Sequence, residues 1–172
     1  MSLEISSNSR ATRLAVLAAF AELALTSLHH AYGALIYSSP WRLEVVGISV
    51  IVAALIAGLS VLAHRQRGTT WGQVWFAANM VVVVAFPIVA IGLFEGAYNH
   101  VAKNIVHLMG NAALYARMFP ATMYEAPGDW IFEITGIAQF PVALVALWWV
   151  VVAVAGRWSG RQVVAANRSS NA

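Results

Sequence analysis

The chain has 172 residues, of which 60% are hydrophobic and only 10% charged, with a formal net charge of +3 and no cysteine. A soluble domain carries about 25% charged residues, so lipid is expected to cover much of this surface, and one domain is the expectation at this length. The missing thiols exclude disulfides, iron–sulfur clusters, thiolate metal sites and covalent c-type haem. The basic residues flank apolar runs rather than forming a face, which argues against a nucleic-acid partner.

Residues 1–11 are polar and read as a tail. The first apolar run extends from Thr12 to Tyr37, the second from Leu43 to His64, the third from Trp71 to about Tyr98 and the fourth from Trp130 to Ala155. At ~1.5 Å per residue each can cross ~30 Å of hydrocarbon as a helix. Pro40 breaks the first connection and Arg65-Gln66-Arg67-Gly68 marks the second. Residues 99–111 still read as helical, either lying at the interface or extending the third helix. Residues 112–128, with Tyr115, Met118, Phe119, Met123 and Tyr124 around Pro120, form a connection long enough to be functional. Their aromatic content favours folding down as a cover or anchoring at the headgroup level. The expected fold is therefore an all-α integral membrane protein. It is a four-transmembrane up-and-down bundle over 12–158, with an extra interfacial helix or loop between helices 3 and 4. A disordered cytoplasmic tail is expected over 159–172.

With the N-terminus inside, Arg10, Arg13, Arg65, Arg67, Arg157, Arg161 and Arg168 fall on the inner side, against Arg42, Lys103 and Arg117 outside. The excess of inner cations places both termini in the cytoplasm, and a bacterial inner membrane is the expected setting. Trp41 and Trp130 then fall at the outer interface, and Trp71, Trp75 and Trp158 at the inner one. Arg10, Arg13 and Ala19-Phe20-Ala21 also resemble a secretory signal with a cleavage site. Cleavage there would leave three spanning helices, but the apolar run continues well past it.

Ionisable groups inside such runs are costly and usually face a bundle interior or a ligand. His29 and His30 lie in the outer half of helix 1, with Glu22 ~10 Å deeper. Glu95 and His100 lie near the outer end of helix 3 and Glu133 near that of helix 4. Helical bundles hold metals by projecting such residues inward, and imidazole with carboxylate suits iron, copper or zinc. The expected ligands are His29, His30, Glu95, His100 and Glu133, with Thr26 and Asn99 as hydrogen-bonding supports. Glu22 is expected as a catalytic group that relays protons. On an ideal α-helix Glu95 and His100 diverge by ~140°, so sharing one centre requires a bend near Gly96. His64 and His107 read as interfacial, and Lys103 as snorkelling to the headgroups. Pro87 and Pro141 are expected to kink helices 3 and 4.

The functional expectation is a small membrane metalloprotein, a non-haem oxidoreductase acting on a lipid-soluble small molecule. The alternatives are a subunit that anchors a larger membrane complex, bearing haem b between His29 or His30 and His100 or lacking a cofactor, and a small proton-coupled transporter. A homo-oligomer is compatible with each.

Overall fold

The computed structural model describes residues 2–169 and the side chains of residues 9–157. Most of the tail expected over 1–11, and all of that expected over 159–172, lies outside the residues whose side chains are described. No strand occurs among the described residues. Helix α1 spans Ser2–Ile36 and α2 spans Arg42–Arg65. Helix α3 (Thr70–Val83) continues directly into a π-helical segment (Val84–Ala102) and then α4 (Lys103–Leu108). A short α5 (Ala112–Met118) precedes α6 (Trp130–Ser169). Four of the resulting rods are long and apolar enough to cross a membrane: Ser9–Ile36, Arg42–Arg65, Thr70–Leu108 and Trp130–Arg157.

The ends of these helices follow from local chemistry. Ser38 takes a left-handed backbone (φ 50°), and the Ser39 N–H returns to the Ala34 carbonyl at 3.1 Å. This closes α1 before Pro40 as a Schellman-type cap. The Thr69 hydroxyl accepts from Gly72 N–H at 3.1 Å to start α3, and Asn111 Oδ1 accepts from Leu114 N–H at 3.0 Å to start α5. Asp129 Oδ1 accepts from Phe132 N–H at 2.8 Å at the start of α6. Each satisfies an N–H that a helix start leaves orphaned.

Helix α1 packs against α2 and α6, α6 packs against the π segment, and α2 packs against α3, so the four rods close into a ring. Ala11, Ala15, Ala19 and Leu23 form one stripe of α1 at four-residue spacing. They pack in a core with Ile56, Phe76, Met80, Val83, Ile88, Ala146, Val150 and Ala153. Small residues on that stripe let the backbones approach closely. The opposite faces carry Val50, Ile51 and Leu55 of α2 and Val145, Trp148 and Val151 of α6, all exposed. The polar residues gather at the other end of the bundle, away from the 66–69 connection.

The third rod shows why the expected bend near Gly96 is unnecessary. From Val84 to Ala102 the chain is π-helical, with i→i+5 closure, so residues five apart share a face much as residues four apart do in an α-helix. Glu95 and His100 are five apart. Pro87 lies inside this stretch and supplies no N–H to an α-helical ladder. Residues 99–108 extend the third rod.

Candidate metal centre

Three imidazoles and one carboxylate meet between α1, the π segment and α6. Glu95 Oε1 lies 3.6 Å from His29 Nε2, 3.8 Å from His30 Nε2 and 3.5 Å from His100 Nε2. His29 and His100 are essentially buried, and Glu95 is 15% exposed. His29, Glu95 and His100 each offer a ligand atom within 4.8 Å of the others, the one such metal-competent group among the described residues. These separations exceed the ~2.7–2.9 Å of a charge-assisted N–H···O bond. They come close to the edge of a tetrahedron whose donors stand ~2.0–2.1 Å from a central ion, which is about 3.3–3.4 Å.

The surrounding hydrogen bonds decide which nitrogen carries a proton. The Thr135 hydroxyl donates to the Ile131 carbonyl at 2.7 Å and also lies 3.1 Å from the Phe132 carbonyl. With its single proton committed there, Thr135 Oγ1 accepts from His29 Nδ1 at 3.0 Å. His29 is thereby held as the Nδ1–H tautomer, with the Nε2 lone pair turned to the centre. On His100, Nδ1 lies 3.0 Å from Glu133 Oε2. Glu133 also accepts from Lys103 Nζ at 3.1 Å and from Asn104 Nδ2. A carboxylate so paired accepts from His100 Nδ1–H, which again leaves Nε2 for the centre. Asn99 Nδ2 donates to Glu95 Oε2 at 2.7 Å, so that oxygen is occupied and Oε1 alone faces the imidazoles. Two lone pairs and an anionic oxygen aimed at one buried point repel each other unless a proton or a metal cation stands among them.

Glycines make the approach feasible. A Cβ at Gly136 would collide with the His100 ring, and one at Gly33 would come within 2.6 Å of Phe132 Cε2. Phe132 stacks on His29 with centroids 4.1 Å apart and meets His100 at 5.2 Å. It also meets the Tyr37 ring, with centroids 5.0 Å apart.

Of the residues singled out from sequence, His29, His30, Glu95 and His100 converge. Glu133 stands behind His100 and touches its Nδ1 rather than facing Glu95 Oε1. Asn99, expected to hydrogen-bond a histidine, instead donates to Glu95 Oε2. Thr26 and Glu22 are fully buried, with no hydrogen-bond partner on their side-chain oxygens. His30 Nδ1 likewise has none. Lys103, expected to snorkel, is instead 2% exposed and paired with Glu133.

Other contributors lay beyond the reach of the sequence. Arg42 is buried and pairs with Glu125 at 2.6 Å, and its guanidinium lies 5.0–5.5 Å from the ring centroids of Trp41, Phe132 and Tyr37. Lys103 also donates to the Glu125 carbonyl at 3.3 Å. Glu125 thus latches the 119–129 segment onto two buried cations. Tyr32 donates to Asp129, with Oδ1 at 3.2 Å and Oδ2 at 3.1 Å. Beside the latch lies an open groove of about 490 Å³, lined by Tyr37, Trp41, Tyr124, Met123, Thr122 and Glu125 among others. Burial, and then the negative charges of Glu133, Glu125 and Asp129, push the Tyr37 phenol above its usual range. Burial does the same for Tyr124. Both therefore stay neutral hydroxyls near neutral pH. Only Thr135 had a sequence signal available, since it lies two residues beyond Glu133 in a run with few other hydroxyls.

Comparisons of the chain with known protein families, with curated proteins and with solved structures found no match.

Proposed function

We propose that the chain is a multi-pass membrane metalloprotein whose His29, His100 and Glu95 hold one first-row transition-metal ion, with His30 the adjoining imidazole. The observation that carries this reading is the convergence of three Nε2 atoms on one carboxylate oxygen, two of them with Nδ1 already committed elsewhere. Two imidazoles and one carboxylate, with coordination positions left over, form the ligand set of non-haem iron(II) centres and of hydrolytic zinc sites. Haem is the poorer match. Axial imidazoles face each other across a porphyrin, whereas the His29 and His100 rings touch edge to face at 4.7 Å, with Glu95 Oε1 beside both Nε2 atoms.

A membrane setting is supported by the four apolar rods and their exposed aliphatic faces. The distribution of cations supports cytoplasmic termini and a polar centre towards the outer leaflet. In that setting α5 and the 119–129 segment lie at the outer interface. The groove then opens beside Tyr37 and Trp41, separated from the centre by Phe132, which touches both Tyr37 and His29. Aromatic walls with neutral phenols suit a lipid-soluble aromatic or conjugated molecule. The activity we infer is oxidation or reduction of such a molecule. Iron or copper bound there would exchange electrons with that molecule one at a time, an external electron donor or acceptor completing the cycle, while the protein orients His29 and His100.

The test is elemental analysis of detergent-purified protein. Wild type is expected to carry iron, copper or zinc, and His29→Ala, His100→Ala and Glu95→Gln are each expected to lose it while remaining helical. His64→Ala is expected to retain it. Retention in all three centre variants would refute the assignment.

A further inference from the structure

One layer below the imidazoles lies a second polar group that supplies no ligand to the proposed ion. Helices α1 and α6 run antiparallel, with His29 against Thr135, Tyr32 against Asp129 and Gly33 against Phe132. Continued down both helices, this register sets Gln139 opposite the turn between Glu22 and Thr26. All three side chains are fully buried. Both oxygens of Glu22, the hydroxyl of Thr26 and both amide atoms of Gln139 lack any hydrogen-bond partner in the protein. On the third side Gly96 faces Gln139: a Cβ there would lie 3.1 Å from Gln139 Cβ. Gly96 adjoins Glu95, so this layer directly underlies the centre.

Polar atoms buried without partners cost a few kcal/mol each, and lipid offers them no alternative. An ionised carboxylate there with neither donor nor cation would cost more still. A carboxylic acid removes the charge but still needs an acceptor for its proton. Hydroxyl and amide groups gathered around an acid, each with free valence, are the surroundings in which buried waters are held, typically with about three hydrogen bonds apiece.

We propose that Glu22, Thr26 and Gln139 form an internal water-binding site that stores an exchangeable proton on the Glu22 carboxyl. The carboxyl gives its proton from one oxygen to a bound water while that water returns one of its own to the other oxygen, so acid and water both stay neutral and no net charge arises in the interior. The site is independent of the ion: it rests on the orphaned atoms alone and exists in metal-free protein as well.

Infrared spectroscopy of the full chain in lipid bilayers, metal-free and metal-loaded, tests this. The expected result is a carboxylic-acid C=O band that shifts promptly in D2O and vanishes in Glu22→Gln, with the variant's metal content unchanged. In Thr26→Val/Gln139→Leu the band should remain but exchange at least about tenfold more slowly, because a water beside the acid would lose its other hydrogen-bonding partners. If that double variant does not fold, Gln139→Leu alone makes the comparison. The proposal fails if no Glu22-dependent acid band exists, or if exchange is as fast in the apolar variant. It fails too if Glu22→Gln loses metal as Glu95→Gln does, since Glu22 would then belong to the ion. Loss of the metal assignment with the acid band intact would leave this site standing.

Discussion

His29 can direct a lone pair at Glu95 Oε1 only while its proton is kept on Nδ1, and the Thr135 hydroxyl keeps it there. Thr135→Val retains the side-chain shape and removes the acceptor. It is expected to weaken metal affinity about 10–100-fold, as loss of such supporting hydrogen bonds typically does, with Thr135→Ser restoring it. Competition against a chromophoric chelator measures this, and equal affinity in the valine variant would show that Thr135 has no such role. Glu133 shares its charge between His100 and Lys103, both buried. Lys103→Met strands that charge and is expected to cost about 3–5 kcal/mol, the usual penalty for breaking a buried pair. Glu133→Gln added to it should recover part of the loss in denaturation experiments in micelles. At this scale the sequence was legible where a polar residue interrupts an apolar run, which is how His29, His30, Glu95 and His100 stand out. It was opaque for Lys103 and Arg42. A cation at the end of an apolar run looks the same whether it reaches for headgroups or for a partner brought in from 22 or 83 residues away.

Among the elements, the π segment does the most to shape the centre. Angular reasoning from the sequence assumed α geometry and split Glu95 from His100, whereas i→i+5 closure brings them together. Nothing in the residue types between Val84 and Ala102 announces that pitch apart from Pro87. Packing against α6 depends on Gly136, whose missing side chain admits the His100 ring. Gly136→Ala is expected to displace His100 and lower metal occupancy as severely as His100→Ala does, with overall helicity by circular dichroism retained. Full occupancy in this variant would mean that the ring has room elsewhere. The second rod was readable from hydropathy almost to the residue, Leu43–His64 against an observed Arg42–Arg65, whereas the third runs on past Tyr98 to Leu108. Folding down of the 119–129 segment was one of the two readings its aromatic content offered, but the Glu125 ion pair with Arg42 that holds it was not legible, being a tertiary contact with no local pattern.

For the whole molecule, four apolar rods close into a bundle with an apolar core and a buried cluster of histidines and carboxylates towards one end. The proposed membrane topology can be checked directly, because the chain contains no cysteine to remove first. A cysteine replacing Gly68 is expected to label from the side on which the N-terminus lies, and one replacing Gly110 from the opposite side. Labelling of both from one side would refute an odd number of crossings between them. The central claim, that the imidazoles and Glu95 surround an ion, is tested most directly by X-ray absorption at the metal edge on purified wild type and Glu95→Gln. The account predicts about one ion per chain, with nitrogen and oxygen donors at ~2.0–2.2 Å, including the imidazole scattering signature of at least two histidines, all lost in Glu95→Gln. An ion without histidine scattering, or an identical spectrum from the variant, would contradict it.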